Sequence, residues 1–520
     1  MTPSTLQFNS QLETEAFAKM LSLWARPGQV IALTGDLGSG KSTFARAFIK
    51  ALAQAQDDFE IPSPSFSLVQ IYENTRIPVA HVDLYRLNLS HETEALGLEE
   101  LSSSHVLLVE WPERLETQLS ADTLTLLFSG SGETRQVQVS PQGMWFQSLE
   151  RNAAIESFIT QHKLQHAERT FFEGDASSRR YEKLKIENQK ILLMDMPARP
   201  DGPPVKFGKP YSQIAHLAEG IKSVVCVNAY LSEIGGYSVP KTLNWDYKNG
   251  LALIEDLGSR VYGKMLQAGE DMTEPMLAAA ELLADLGRRA HTNHINLRLQ
   301  GSYTIPPYDE EAMLIETELL PKWFWPHLNG TEPSSALISS FEDIWKLLLP
   351  LAQQKSPQIV MRDFHSPNLL WIPEREGILR VGLIDTQDAV MGHAAYDLVS
   401  MIQDARVDIP QELASLTFEH YVAKRKAEQN FANGTFTTLN NEIFSESDFR
   451  AAYAVLGAQR ATKILGIFAR LNKRDGKPAY LKHMPRVSRY LRQNLQHPAL
   501  ASLKNWYETH MPEALVVGLQ

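Results

Sequence analysis

Buried-strand and amphipathic-helix patterns alternate along the first 150 residues. Gln29-Val-Ile-Ala-Leu-Thr34 and Val106-Leu-Leu-Val-Glu-Trp111 are short apolar runs of the kind a strand covered on both faces needs, and Phe44-Ala-Arg-Ala-Phe-Ile-Lys-Ala-Leu52 spaces its apolar residues as a helix does. His81-Val-Asp-Leu-Tyr-Arg86 alternates, which predicts a half-buried strand with His81, Asp83 and Tyr85 on one face and Val82 and Leu84 on the other. Thr123-Leu-Thr-Leu-Leu-Phe128 and Gln136-Val-Gln-Val-Ser140 flank the turn-rich Ser129-Gly-Ser-Gly-Glu133, and a helix is predicted from Arg151 to about Gln161. From 170 to 258 the pattern predicts a small, mainly β lobe. In it Val224-Val-Cys-Val227 is expected as a packed strand, and Asn249-Gly250 between apolar runs as a type I′ hairpin. Helical spacing dominates the remainder, broken by the loop Met361 to Trp371 and the apolar run Arg380-Val-Gly-Leu-Ile384.

The length of 520 residues and a 43% hydrophobic content suit about three compact units with ordinary cores. The boundaries expected are 1–150, 151–258 and 259–520. Residues 1–150 hold 9 Lys and Arg against 18 Asp and Glu, a formal −9 of the whole chain's −11. So acidic a segment is poorly suited to holding a nucleic-acid backbone by itself, because that attraction scales with the cations presented. The single cysteine, Cys226, excludes an intrachain disulfide framework. Residues 1–11 lack a basic stretch and an apolar run, and no segment has the uninterrupted apolar length of a membrane span. A cytoplasmic protein with no membrane partner is the expectation.

The chemistry is concentrated in two places. Gly35-Asp-Leu-Gly-Ser-Gly-Lys-Ser42 follows a predicted strand and opens a predicted helix, the setting of a P-loop. Gly35, Gly38 and Gly40 let backbone N–H groups turn toward phosphates at a helix N-terminus, Lys41 reaches the outer phosphates and Ser42 is placed to bind magnesium. Such a site also needs a carboxylate at the end of a neighbouring strand, and Glu110 supplies one.

This region resembles the TsaE family, the small ATPase subunit of bacterial tRNA threonylcarbamoyladenosine biosynthesis. The marks are Gly-Asp-Leu-Gly-Ser-Gly-Lys-Ser-Thr at 35–43, Ser63-Pro-Ser-Phe66, His81-Val-Asp-Leu-Tyr-Arg86 and Val109-Glu-Trp-Pro-Glu113. In the family the second mark carries threonine where Ser65 stands here, and the hydroxyl is kept. The resemblance implies that Lys41, Ser42, Thr43, Asp83 and Glu110 serve ATP and magnesium. It also implies slow hydrolysis that drives a separate threonylcarbamoyl-transfer complex of TsaB- and TsaD-like subunits, with tRNA engaged only indirectly.

The second place is Met361-Arg-Asp-Phe-His-Ser-Pro-Asn-Leu-Leu-Trp371 with Leu383-Ile-Asp385 downstream. Asp363 is placed to accept the proton of a substrate hydroxyl, while Asn368 and Asp385 are spaced to hold magnesium on nucleotide phosphates. Gly174-Asp-Ala-Ser-Ser-Arg179 reads as a turn over phosphates, with Gly174, Ser177 and Ser178 as its candidates, and the segment from Glu255 to Leu257 offers backbone groups to an adenine.

Residues 170 to about 406 resemble the aminoglycoside phosphotransferase superfamily. Its branch of anomeric N-acetylmuramate/N-acetylglucosamine kinases is marked by Gly174-Asp-Ala-Ser-Ser-Arg-Arg-Tyr181, Leu253-Ile-Glu-Asp-Leu-Gly258, Ile384-Asp-Thr-Gln-Asp-Ala389, Tyr396-Asp-Leu398 and Gln403-Asp-Ala-Arg406. The implied fold is α/β, a P-loop NTPase domain followed by a bilobal protein-kinase-like domain, and the implied reaction moves the ATP γ-phosphoryl group to the C1 hydroxyl of an amino sugar. Ile191-Leu-Leu-Met-Asp195 departs from the wider pattern, which has a strand lysine where Met194 or Asp195 stands. Met361, Thr386 and His393 depart at positions where relatives carry His, Phe and Pro. Another hydroxyl acceptor (an aminoglycoside, choline or homoserine) and a nucleotide sensor without transfer stay open as alternatives. His291 and His294 lack a third metal ligand nearby and are expected as helix-end histidines.

Overall fold

A computed structural model of the chain describes residues 4–53, 61–87, 96–115, 119–130, 134–172, 179–186, 189–432 and 443–517. They form two compact units, residues 1–172 with 182–189 and residues 173–181 with 190–520.

In the first unit, seven strands make one sheet: β1 (Ser4–Phe8), β2 (Val30–Thr34), β3 (Val69–Tyr72), β4 (Val79–Asp83), β5 (Val106–Glu110), β6 (Thr123–Ser129) and β7 (Arg135–Pro141), in the order β1-β7-β6-β2-β5-β4-β3. β2 runs parallel to β5 and β6, and β4 parallel to β5, whereas the margins are antiparallel. Parallel strands are covered on both faces, which is why β2, β4 and β5 read as continuous apolar runs. β4 corrects the expected half-buried strand: all five of its residues are buried and it ends at Asp83, leaving Tyr85 outside it and partly exposed. Helices α1 (Gln11–Ser22) and α2 (Lys41–Ala53) cover the sheet through Phe17, Phe44 and Phe48, with Phe44 edge-on to Phe128 of β6. A single helix, Met144–Gln161, runs through position 150, where the sequence pattern placed an end and a new start. Its fully buried Trp145 and its Asn152, which accepts a hydrogen bond from Trp24 at 3.1 Å, tie it to this unit.

In the second unit, strand Gln189–Asp195 pairs antiparallel with Leu251–Glu255, which pairs with Thr242–Asp246. The connection is not the two-residue type I′ turn expected from Asn249-Gly250. Four residues link Asp246 to Leu251, Gly250 alone of them has positive φ (62°), and the Asp246 carboxylate accepts from the Asn249 backbone and side chain at 3.0 and 2.6 Å. A type I′ turn needs positive φ at both central residues, and the Asp246 bonds stabilise a wider loop instead. Val224–Val227 is helical within Lys222–Gly235, not a strand: Ser223–Asn228 are buried without a break, so this stretch is packed on every side, while Lys222, Ser232 and Glu233 are exposed. Cys226 is buried there.

The rest is helical around Glu446–Asp475, which packs on Glu310–Thr317, Ala395–Ile402 and Met484–Asn494. Two short antiparallel ribbons, Gln358–Val360 with Val390–Gly392 and Leu369–Trp371 with Val381–Leu383, carry the loops that hold the polar candidates. No helix among the described residues is long and apolar enough to cross a membrane.

Candidate active sites

The first site lies at the carboxyl ends of the parallel strands. Register sets Leu33 of β2 and Asp83 of β4 beside Glu110 of β5, so the loop after β2, Asp83 and Glu110 converge. Gly35, Gly38 and Gly40 have φ of 126°, 78° and 111°. A Cβ at Gly35 would stand 2.1 Å from the Phe128 carbonyl oxygen, so only glycine lets the loop pass so close to β6. The buried Lys41 donates from Nζ to the carbonyls of Gly35 (2.6 Å) and Asp36 (2.9 Å) and lies 4.0 Å over the Trp111 ring. Burial lowers its pKa, against the pull of Glu110, Glu113, Asp83 and Asp36.

Ser42 donates to Glu110 Oε2 at 2.9 Å, and His81 Nε2 is 3.0 Å from Glu110 Oε1. Asp83 Oδ2 accepts from Ser65 at 2.8 Å and Ser63 at 3.3 Å, which ties the Ser63-Pro-Ser-Phe66 segment to β4. Gly38, Gly40, Lys41, Ser42, Thr43, Asp83 and Glu110 line one cavity of about 200 Å³. The residues suit a magnesium nucleotide: the glycine cradle admits no side chain at Gly35, the buried Ser39 hydroxyl has no hydrogen-bond partner among the described residues, and two carboxylates face Lys41 and Ser42. The part of His81 in holding Glu110 was not legible in the alternation, because it depends on which strand lies next to β4.

The second site is built on the loop 361–368. Asn368 and Ile384 are joined by the bond from Ile384 N to Asn368 O (3.1 Å), and Leu369 pairs with Leu383, so Asn368 and Asp385 lie at the same end of one ribbon. Asn368 Nδ2 donates to the Asp363 carbonyl at 3.1 Å, which brings the third candidate to that end. Arg362 and Asp385 hold left-handed backbone, φ 65° and 66°, a conformation costly for side-chain-bearing residues.

Surrounding contacts enforce the turn at Arg362. Asp397 accepts from the N–H groups of Met361 (2.8 Å) and Arg362 (3.0 Å), and the Arg362 carbonyl accepts from Arg460 (3.0 Å) and Ser400 (3.2 Å). The Arg362 guanidinium is buried on Glu316, whose carboxylate also takes Lys463 (2.9 Å), Tyr308 (2.6 Å) and Gln459 (2.9 Å). Asp404 accepts from Ser366 N and Oγ at 2.8 and 2.6 Å and holds the far side of the loop. Asp397 and Asp404 fall in stretches singled out by resemblance, but their anchoring role depends on tertiary contacts and has no local signal.

Burial alone would raise the Asp363 carboxyl, yet His365, Arg460, Lys463 and Arg362 outweigh it and hold the group below the usual carboxylate range. Asp385 goes the other way, raised by burial despite an ion pair with Arg179. Gly174, Ser177 and Ser178 lie outside the described residues. Glu255 donates its backbone N–H to Lys241 O at 2.9 Å, and its carboxylate engages Arg375 (3.1 Å) and Lys241 N (3.2 Å). Met194 and Asp195 are buried at the end of their strand. His291 and His294 each have their own partners, Leu286 O and Thr304 Oγ1, and His294 begins a strand instead of ending a helix. No cluster of three or more His, Cys, Asp or Glu side chains that could hold a metal ion occurs among the described residues.

The family model described as threonylcarbamoyl adenosine biosynthesis protein TsaE matches residues 8–137, and that of the phosphotransferase enzyme family matches residues 168–429. The chain is 33% identical over 374 residues to an N-acetylmuramate/N-acetylglucosamine kinase of Caulobacter vibrioides, covering 70% of this chain and 98% of that protein. A kinase of the same description from Pseudomonas aeruginosa is 30% identical, with 64% and 85% covered. The tRNA threonylcarbamoyladenosine biosynthesis protein TsaE of Bacillus subtilis is 34% identical over 139 residues, 26% of this chain and 85% of that protein.

Proposed function

Because the chain belongs to the TsaE family through its N-terminal region and to the phosphotransferase enzyme family through its larger C-terminal region, we propose that its two sites perform the two reactions separately. The protein is bifunctional, an ATPase subunit of tRNA threonylcarbamoyladenosine biosynthesis and an amino-sugar kinase. In the first site Gly35, Gly38, Gly40, Lys41, Ser42 and Thr43 hold the nucleotide, and Ser42, Asp83 and Glu110 hold magnesium. This unit serves TsaB- and TsaD-like subunits, and tRNA meets it only through them, in keeping with its acidic charge.

In the second site Asn368 and Asp385 hold magnesium on the phosphates. Bound Mg-ATP supplies the transferable phosphoryl group and the cation that offsets its charge. Asp363 takes the proton of the C1 hydroxyl of N-acetylmuramate or N-acetylglucosamine as the sugar oxygen bonds to the γ-phosphorus and the bond to the ADP oxygen breaks. The observation that carries this reading is the hydrogen bond from Asn368 Nδ2 to the Asp363 carbonyl, which joins Asp363 to the ribbon end that bears Asp385. With Asp363→Asn in the full chain, formation of sugar 1-phosphate followed by 31P NMR is expected to fall by about two to four orders of magnitude. ATP hydrolysis by the first unit is expected to stay intact. An undiminished rate removes Asp363 from the reaction.

A further inference from the structure

A kinase site of this kind needs a cation beside the nucleotide phosphates besides magnesium, and the usual supplier is a lysine on a strand of the small lobe. Here the end of that strand holds Met194, 1% exposed, and Asp195, 5% exposed, and its one lysine, Lys190, stands at the exposed opposite end. The charge must come from another element.

Arg179 is placed to supply it. Its side chain, 11% exposed, forms an ion pair through Nη1 with Asp385 Oδ1 and donates to Gln387 Oε1 at 2.5 Å. A guanidinium on a half-buried carboxylate meant for a metal holds positive charge beside the place where the metal's charge belongs. Arginine also presents a planar fork that matches two phosphate oxygens at once.

We infer that Arg179 is the phosphate-binding cation of the kinase site: its guanidinium exchanges Asp385 and Gln387 for the nucleotide phosphates when Mg-ATP binds. The inference rests on the kinase reading above. Arg179 takes the part of the absent strand lysine, so the departure at Met194 and Asp195 is compensated within the same lobe. No group is transferred to or from Arg179, and its contribution is to ground-state and transition-state charge.

The test uses the full chain carrying Lys41→Ala, so that the P-loop does not contribute to nucleotide binding. In that background Arg179→Gln is expected to weaken Mg-ATP binding measured by calorimetry at least tenfold and to raise KM for ATP, leaving KM for the sugar unchanged. Arg179→Lys is expected to restore most of the affinity. Gln387→Ala removes a resting partner without touching the charge, and affinity equal to or tighter than wild type is expected. Unchanged Mg-ATP affinity in Arg179→Gln overturns the assignment. Weakened affinity in Gln387→Ala also overturns it, by making Arg179 a structural tie, and this arm decides even if Arg179→Gln fails to fold. A protein that binds Mg-ATP through Arg179 yet phosphorylates neither N-acetylmuramate nor N-acetylglucosamine loses the sugar-kinase reading while the Arg179 assignment stands.

Discussion

Lys41 in the P-loop has three environments at once: two loop carbonyls at hydrogen-bond distance, the face of Trp111, and the carboxylates of Asp83 and Glu110 beyond. The carbonyls hold its ammonium group, and incoming phosphates offer stronger, charged acceptors, so the residue exchanges partners without leaving its buried place. Ser42 and His81 meanwhile fix both oxygens of Glu110, which keeps that carboxylate aimed at the loop. Truncation at Lys41 removes the cation and leaves the geometry of the carboxylates alone. Lys41→Ala is therefore expected to lower ATP hydrolysis by the first unit by about 10²-fold or more and to abolish its support of threonylcarbamoyl transfer. Sugar phosphorylation measured on the same preparation is expected to remain at the wild-type level. Retained support of the transfer reaction would falsify the P-loop assignment.

Among the elements, the loop between β2 and α2 holds three glycines of positive φ, and they differ in kind. Gly35 is hemmed by the Phe128 carbonyl, whereas nothing lies within 4 Å of a Cβ at Gly38. Gly38→Ala should cost only the left-handed backbone, about 1–2 kcal/mol, and Gly35→Ala that cost plus a collision with β6. Limited proteolysis across a temperature series, read for cleavage within residues 4–172, is expected to show a clearly larger loss for Gly35→Ala; equal losses contradict the packing argument. This loop and its flanking strands were legible in the sequence because their signals are local: an apolar run, a glycine spacing, an amphipathic helix. The loop 361–368 was legible for the same reason. Val224–Val227 misled because an apolar run rich in valine has no period, and burial on every side of Ser223–Asn228 hides the helical repeat. The contacts of His81 with Glu110, Arg179 with Asp385 and Arg362 with Glu316 were not legible, since each joins residues far apart in sequence through strand order or lobe packing.

At the scale of the whole chain, two compact units with separate ATP chemistry need not respond alike to their surroundings, and pH separates them. In the second unit, burial and the nearby Arg425 lower the His393 pKa to about 4, and His393 Nδ1 accepts from Ala395 N at 3.1 Å at the start of the helix Ala395–Ile402. A histidine whose folded pKa lies below its unfolded value of about 6.5 contributes stability that is full above pH 6.5 and lost as pH falls from there toward 4. Glu316 follows in a lower window. Burial would raise it, but Lys463 and Arg362, with bonds from Tyr308 and Gln459, hold it at about 2, so its contribution is present above about pH 4.5 and lost as pH falls toward 2. Between pH 7 and pH 5 Glu316 keeps its contribution, and His393 by itself loses about 2 kcal/mol by linkage, whereas Asp397 in the helix Ala395–Ile402, raised to about 7 by burial, takes up a proton in the folded state and acts in the opposite direction. Hydrogen exchange of the amides in Ala395–Ile402, corrected for intrinsic rates, reads this unit without interference from the other. Asn in place of His393 keeps an oxygen to accept from Ala395 N but cannot take a proton in this range. The variant cancels the Asp397 contribution common to both proteins, so the opening free energy of the wild type is expected to fall by about 2 kcal/mol relative to that of His393→Asn from pH 7 to pH 5; equal slopes in the two proteins would place the acid sensitivity elsewhere.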